Sequence, residues 1–370
     1  MVLQKREALI LGWYGYDNLG DELLLDVISN QLFEKINTIY YLCNPVARKD
    51  IRRKSIIPIS VTSRRTLFRL IKRLFLVDLV VLGGGTYLRD IGEVKNLRFK
   101  LLLITLALLF RKKIVLWGGG LGPFSFHKNS RLLRFVLRRI DFVYLRDYDS
   151  VELYRSITGR EAVLVPDPVF LLNRNLIRSN FPEESRTLSI GLSLREWHAF
   201  NGEIKGDQFQ KLLLEMAFFL EKVLPGDMIR VVFFVFQNSP DDSMSNDRQV
   251  FDQLRSLVKR DIDWEVEYLD RNLSRVQEAY QKVNFFIGMR LHSLILALMM
   301  DLPTLAISYD PKVKGLFKQL GISGYNVDYE SIEGKNLLDK FEVLSNQNYI
   351  NERDSFLESL RRYDELVMSI

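Results

Sequence analysis

Apolar residues alternate along this chain between two rhythms. Short, nearly continuous β-branched or aromatic runs predict strands at 8–12, 38–43, 78–83, 113–118, 142–146 and 162–165. Between them, helical spacing predicts helices at 21–34, 65–76, 95–110, 131–140 and 150–157. A polar stretch with Asn, Ser and Pro182 interrupts the alternation at 173–186. It then resumes, with strands expected at 188–194, 228–236, 264–269, 284–288 and 304–308, and helices at 208–223, 247–259, 273–282, 291–300 and 313–319. A last helix is expected at 351–367.

Strands that are apolar throughout and separated by helices belong to parallel βαβ units. The expected fold is therefore α/β, with two Rossmann-like, doubly wound domains facing a central cleft. The expected boundaries are 1–175, a linker at 176–186, 187–345, and a C-terminal helix within 346–370 that crosses back to the first domain. Ligands of such sheets bind outside the carboxyl ends of the strands, and nearly every unusual cluster in this chain lies just after a predicted strand.

Composition adds constraints. A chain of 370 residues, 47% hydrophobic, can build two cores. The single cysteine, Cys43, cannot form an intrachain disulfide, which fits a reducing compartment. The most apolar run, 101–110, is far short of the about 20 residues a bilayer span needs. The charged start, 1–7, lacks a signal-peptide core, so a cytoplasmic location is expected. The net charge of +6 tolerates anionic substrates or a membrane surface. Ten Lys/Arg fall between Arg48 and Arg73 against one acid, Asp50. Helix 65–76 mixes Leu67, Phe68, Leu70, Ile71, Leu74 and Phe75 with Arg69, Lys72 and Arg73. Such a helix can pack on a sheet, or it can rest on the inner face of an anionic membrane as a peripheral contact. No aromatic–basic interleaving points to nucleic acid, and no His/Cys/carboxylate spacing points to a metal.

The candidate chemistry follows strand by strand. After the first comes Gly12-Trp13-Tyr14-Gly15-Tyr16-Asp17-Asn18-Leu19-Gly20-Asp21-Glu22, with two acids opening a helix. Its spacing fails the dinucleotide fingerprint. Gly83-Gly84-Gly85, with Asp90 beyond, and Gly118-Gly119-Gly120-Leu121-Gly122-Pro123 each follow an apolar strand directly. Triple glycine is retained where backbone must meet a ligand or other backbone. Arg146-Asp147-Tyr148-Asp149-Ser150 and Asp167-Pro168 come next; Arg146 can face a ligand or pair locally with Asp149, and Asp149 or Ser150 can cap. In the second half, Arg195 and Trp197 end one strand, Arg290-Leu291-His292 another, and Tyr309-Asp310-Pro311-Lys312 a third. Arg195, Arg290, His292 and Lys312 form a cationic set suited to a phosphate or carboxylate.

In this order the motifs resemble the polysaccharide pyruvyl transferases. Carrying the resemblance are Gly12 to Glu22, Gly83-Gly84-Gly85 with Asp90, Gly118 to Pro123, Arg146-Asp147 with Ser150, Asp167-Pro168-Val169-Phe170, Gly191 to Trp197, Met289-Arg290-Leu291-His292 and Tyr309-Asp310-Pro311-Lys312-Val313. The chain departs from the family pattern at Trp117-Gly118-Gly119-Gly120, where relatives often have Gln before the last Gly, and in the loop 237–246. The resemblance implies the two-domain GT-B glycosyltransferase architecture, with phosphoenolpyruvate as donor substrate and no separate cofactor. It implies a sugar acceptor, in a polysaccharide or lipid-linked precursor, that becomes a pyruvyl ketal as phosphate leaves. Arg195, Arg290, Leu291, His292, Lys312 and Arg146 are then expected to bind the donor. His292 or Lys312 would supply a proton, and Asp21, Glu22, Asp90 or Asp167 would accept one. Gly15, Asn18, Gly20, Glu22, Gly84, Gly85, Gly120, Asp167 and Trp197 would line the cleft. Two other functions fit the same residues: a nucleotide-sugar glycosyltransferase, and a non-catalytic glycan-binding member.

Overall fold

The computed structural model describes residues 6–44, 55–90, 94–124, 130–174, 188–197, 206–224, 228–238, 246–346 and 358–370. The chain divides into two compact units. The first comprises Met1–Tyr16, Asp21–Leu171 and Leu357–Ile370; the second comprises Asp17–Gly20 and Leu172–Phe356. The expected linker at 176–186 and the start of the last expected helix, 351–357, lie outside the described residues.

The first unit is a parallel sheet of β1 (Glu7–Tyr14), β2 (Thr38–Cys43), β3 (Ile56–Ile59), β4 (Leu79–Gly83), β5 (Lys113–Gly119), β6 (Phe142–Leu145) and β7 (Val163–Leu164). Their order is β3-β2-β1-β4-β5-β6-β7. Its central strands are apolar beyond their first residues because both faces are covered. Leu9 and Leu11 of β1, Val80 and Leu82 of β4, and Ile114 and Leu116 of β5 point to one core. Ala8 and Ile10, Leu79 and Val81, and Val115 and Trp117 point to the other. The first core is closed by α2 (Arg64–Leu76), α3 (Val94–Leu109), α4 (Arg131–Leu137) and α5 (Tyr148–Thr158). The second is closed by α1 (Leu19–Leu32) and the C-terminal helix, here α12 (Arg361–Ser369).

Tyr363 of α12 stacks on Trp117 with ring centroids 5.9 Å apart, and its hydroxyl donates to the Pro166 carbonyl at 2.7 Å. Gly118 lies beneath that hydroxyl with φ +58, and a Cβ there would come within 2.1 Å of it. Only glycine fits. β3 is absent from the sequence expectation because its short run is broken by Pro58; an edge strand tolerates the missing N–H that a central one would not.

The second unit repeats the plan with β8 (Leu188–Ser193), β9 (Ile229–Val235), β10 (Asp263–Tyr268), β11 (Phe285–Gly288), β12 (Thr304–Ser308) and β13 (Asn326–Asp328), ordered β10-β9-β8-β11-β12-β13 and all parallel. Its helices are α6 (Gly206–Lys222), α7 (Asp247–Leu257), α8 (Leu273–Tyr280), α9 (Leu291–Met299), α10 (Pro311–Gln319) and α11 (Gly334–Asn346). Neither β13 nor α11 was expected. β13 is three residues long and carries no apolar run. α11 does repeat Leu337, Phe341 and Leu344 at helical spacing, and all three enter the core. Among the described residues no helix is long and apolar enough to cross a membrane.

In both sheets the chain starts at the middle, builds outward one way, then returns to build the other way. The reversal falls between β1 and β4 in the first unit and between β8 and β11 in the second. A crevice opens at such a point because the loops after the two strands leave in opposite directions.

Candidate functional site

In the second unit that crevice is bordered by residues 193–197 after β8 and 289–292 after β11. Arg290 is the N-cap residue of α9 but makes no side-chain cap. Its guanidinium turns away instead, giving Nη2 to Asp247 at 2.5 Å and both Nη atoms to Gln237 Oε1 at 3.3 Å. The pair is almost dry, with Arg290 6% and Asp247 1% exposed in the side chain. Asp247 also accepts the backbone N–H groups of Phe236 and Gln237, so it ties the end of β9 to the start of α9. Arg290 Nε and Ser193 Oγ, both buried, find no partner. Leu291 is buried in the first turn of α9, and His292 beside it is half-buried.

The segment Asp17–Gly20 packs on this corner. Asn18 bridges to Gln237, and Leu19 donates its N–H to the Phe236 carbonyl at 3.0 Å. A Cβ on Gly20 would come within 1.9 Å of His292 Nδ1, so only glycine leaves the imidazole its place.

A second group forms after β8 and β12. Arg195 stands over the rings of Trp197 and Tyr309, at 5.3 and 5.6 Å from their centroids. The two rings are 4.5 Å apart. Lys312 Nζ lies 5.6 Å from the Tyr309 centroid and 3.3 Å from Asp310. The Tyr329 hydroxyl donates to the Trp197 carbonyl at 2.9 Å, which fixes that strand end. Burial pushes the Tyr309 phenol up, but Lys312 and Arg195 outweigh burial and hold it below the usual tyrosine range. The local potential is therefore positive. Asp310 caps α10 by accepting the Lys312 N–H, so the first turn of α10 is satisfied from within. α9 has no such cap, and its amino end suits an anion better.

Residues expected together from sequence thus come together here: Arg195, Trp197, Arg290, Leu291, His292 and Lys312, with Asn18 and Gly20. Tyr309, which opens the Tyr309-Asp310-Pro311-Lys312 cluster, belongs with them, as do Asp247 and Gln237, neither of which was a site candidate. Asp247 had one sequence signal, an acid opening a helix after a strand.

The other candidates lie in the first unit. Arg146 donates to Asp167 at 2.6 Å, with both side chains buried. Burial opposes its charge, and Asp167 and Asp147 more than restore it. The structure thus corrects two expectations: Arg146 pairs with Asp167 rather than with Asp149, and the cap of α5 is Asp147 rather than Asp149 or Ser150. Asp167 also accepts the Val169 N–H. The glycine runs meet each other. Gly120 donates to the Gly85 carbonyl at 3.0 Å, and Gly84, Gly85, Gly119 and Gly120 border one small pocket with Tyr87. Asp21 reaches Gly85, where a Cβ would lie 2.8 Å from its Oδ1. Glu22 accepts the Gly15 N–H at 2.6 Å, and Asp90 is fully buried. Among the described residues no cluster of His, Cys, Asp or Glu could hold a metal ion.

Comparison with known proteins bears on both fold and family. The chain is similar in structure to the UDP-GlcNAc 2-epimerase of Methanocaldococcus jannaschii, with TM-score 0.58, 12% identity and coverage of 99% and 100% of the two chains. It is also similar to MurG of Acinetobacter baumannii, with TM-score 0.52, 10% identity and 99% of each chain covered. Those likenesses show the fold alone, the two Rossmann-like domains of GT-B glycosyltransferases and epimerases. In sequence it is 27% identical over 291 residues to the amylovoran biosynthesis protein AmsJ of Erwinia amylovora, covering 75% of this chain and 68% of that one. Residues 18–311 match the family model for polysaccharide pyruvyl transferase, a span that holds Arg195, Arg290, His292 and all but the last residue of the Tyr309-Asp310-Pro311-Lys312 turn. The chain therefore belongs to the polysaccharide pyruvyl transferase family, transferases of polysaccharide biosynthesis.

Proposed function

We propose that the second unit binds phosphoenolpyruvate and that the enzyme transfers its pyruvyl group to a sugar hydroxyl pair as a ketal. The observation that carries this reading is the gathering of Arg195 and Lys312 around the Tyr309 ring at the ends of β8 and β12. Phosphoenolpyruvate brings two anionic groups a few bonds apart. Arg195 and Lys312 suit one, and the uncapped amino end of α9 with Arg290 Nε suits the other. Donor binding needs no metal in this scheme.

In the reaction a proton adds to the methylene carbon of the donor, making the methyl group and leaving C2 electron-poor. One sugar hydroxyl attacks C2 and loses its proton. The C2–O bond to phosphate breaks with its electron pair. A second hydroxyl of the same sugar then bonds to C2 and loses its proton, closing the ketal. His292, held by Gly20 and the start of α9, is the proposed acid; histidine is the side chain that best delivers a proton near neutral pH. Asp167 is ion-paired with Arg146, which leaves Asp21, Glu22 and Asp90 as the proposed bases. The biosynthetic role named for AmsJ supports a polysaccharide acceptor.

Thermal shift tests the donor directly, because a ligand that binds only the folded state raises the melting temperature. Phosphoenolpyruvate should stabilise the wild type and, at the same concentration, stabilise Arg195→Ala much less. Stabilisation by a nucleotide-sugar and none by phosphoenolpyruvate would replace this reading with a glycosyltransferase.

A further inference from the structure

The outer face of the first unit, where α2, α3 and α4 lie side by side, is built unlike an ordinary solvent face. Each helix spends its buried side chains on the sheet, Leu70 and Leu74 from α2, Leu97, Leu101 and Ile104 from α3, Leu133 and Val136 from α4. Each then carries a second apolar set pointing outward. On α2 these are Phe68 and Phe75, seven residues apart and so on one stripe, 68% and 58% exposed. On α3 the same spacing presents Leu102 and Leu109, the latter 70% exposed. On α4 Leu132 and Phe135 are exposed. Sheet packing accounts for none of them. The edge-to-face contact of Phe75 with Phe110, centroids 5.2 Å apart, joins α2 to the end of α3.

The charged side chains that these three helices carry have one sign. No Asp or Glu occurs anywhere in 51–77 or 94–140. The exposed polar positions are Arg64, Arg65, Arg69 and Lys72 on α2, Arg98 and Arg111 with α3, and Arg131, Arg134, Arg138 and Arg139 with α4. Two cations lie directly over exposed rings: Arg139 is 3.8 Å from the Phe135 centroid and Lys112 is 5.6 Å from that of Phe75. Long basic side chains flanking outward Phe and Leu are arranged to hold anionic headgroups while the apolar groups enter the acyl boundary.

We propose that this face docks the protein on an anionic lipid bilayer as a peripheral contact. A soluble polyanion would use the cations but would leave Phe68, Phe75 and Leu109 in water. The aromatic and leucine stripe therefore selects the bilayer. The proposal is independent of the donor chemistry in the second unit.

The test is vesicle flotation of the full chain, with phosphatidylcholine vesicles carrying or lacking phosphatidylglycerol, alongside binding to heparin. Wild type should float only with the anionic vesicles. The triple variant Phe68→Ser, Phe75→Ser, Leu109→Ser removes exposed groups, so its melting temperature should hold. It should lose at least tenfold in vesicle binding and keep heparin binding, which reads the cations alone. Arg65→Glu with Lys72→Glu should weaken both, vesicle binding by about fivefold for each cation lost. Three results would overturn the proposal: no flotation of wild type, equal flotation on neutral vesicles, or a triple variant that floats like wild type. The last would reassign the face to a soluble polyanion.

Discussion

Replacing Asp247 with asparagine removes one charge from a place that solvent hardly reaches. The carboxylate serves three donors, Arg290 through Oδ1 and the Phe236 and Gln237 amides through Oδ2. Asparagine keeps the shape and one carbonyl oxygen. If that oxygen serves the amides, its NH₂ faces the guanidinium and Arg290 keeps only Gln237. If it serves Arg290, two backbone N–H groups lose their acceptor. Removing one partner of a buried ion pair costs about 3–5 kcal/mol, and a buried amide left unsatisfied about 1–3 kcal/mol. The cheaper arrangement therefore costs about 3 kcal/mol. For a unit of this size about 2–4 °C accompanies each kcal/mol, so the transition of the second unit should fall by roughly 6–12 °C. Scanning calorimetry reads this directly. The double variant Asp247→Leu, Arg290→Met removes both charges and should regain most of the loss, because an apolar pair of similar volume can replace a buried ion pair. A single variant that melts with wild type, or a double variant no better than the single, would refute the tie between β9 and α9.

Other expectations concern the donor. Arg195→Ala should fold normally and weaken phosphoenolpyruvate by about 1.5–3 kcal/mol in calorimetric titration, the value of a hydrogen bond to a charged group. His292→Asn should keep donor affinity within a few-fold and lose roughly 10²-fold in single-turnover rate; equal loss of affinity and rate would make His292 a phosphate ligand instead. Burial raises the Tyr309 phenol, but its neighbours Lys312 and Arg195 outweigh burial and hold it below the usual tyrosine range. Above its pKa the tyrosinate is an anion beside the donor, so affinity should fall on the alkaline side in wild type and stay flatter in Tyr309→Phe. In the ligand-free protein the same depressed value adds stability that is complete above about pH 10 and is lost as pH falls through the folded pKa; urea titrations of wild type and Tyr309→Phe against pH check the sign.

Sequence reveals most where a residue's role is local. β4 and β5 are readable because both faces are buried and, after Lys113, every position is apolar. The edges are not: β3 carries Pro58 and β13 has three residues, and an edge strand needs neither length nor an apolar run. Arg195, Arg290, His292 and Lys312 can be found because each follows a strand, and the strand order then brings them to one end of one sheet. Asp247 cannot be found as their partner, since 43 residues separate it from Arg290 and no pattern joins them. The glycine runs show the ambiguity of a good signal. They mark close approach, and at Gly120 and Gly85 what approaches is the other run. Periodicity in α2 marks an amphipathic helix, yet it cannot say that Phe68 and Phe75 lie opposite the packed side.

The central claim is that phosphoenolpyruvate is the donor. The most direct measurement is incubation of the enzyme with phosphoenolpyruvate and candidate glycan acceptors, following phosphate release and acceptor mass together. Phosphate released in step with a gain of one ketal-linked pyruvyl group per acceptor, and slowed at least about tenfold at limiting donor in Arg195→Ala, is the predicted result. Acceptor modified from a nucleotide-sugar, with phosphoenolpyruvate untouched, would contradict it.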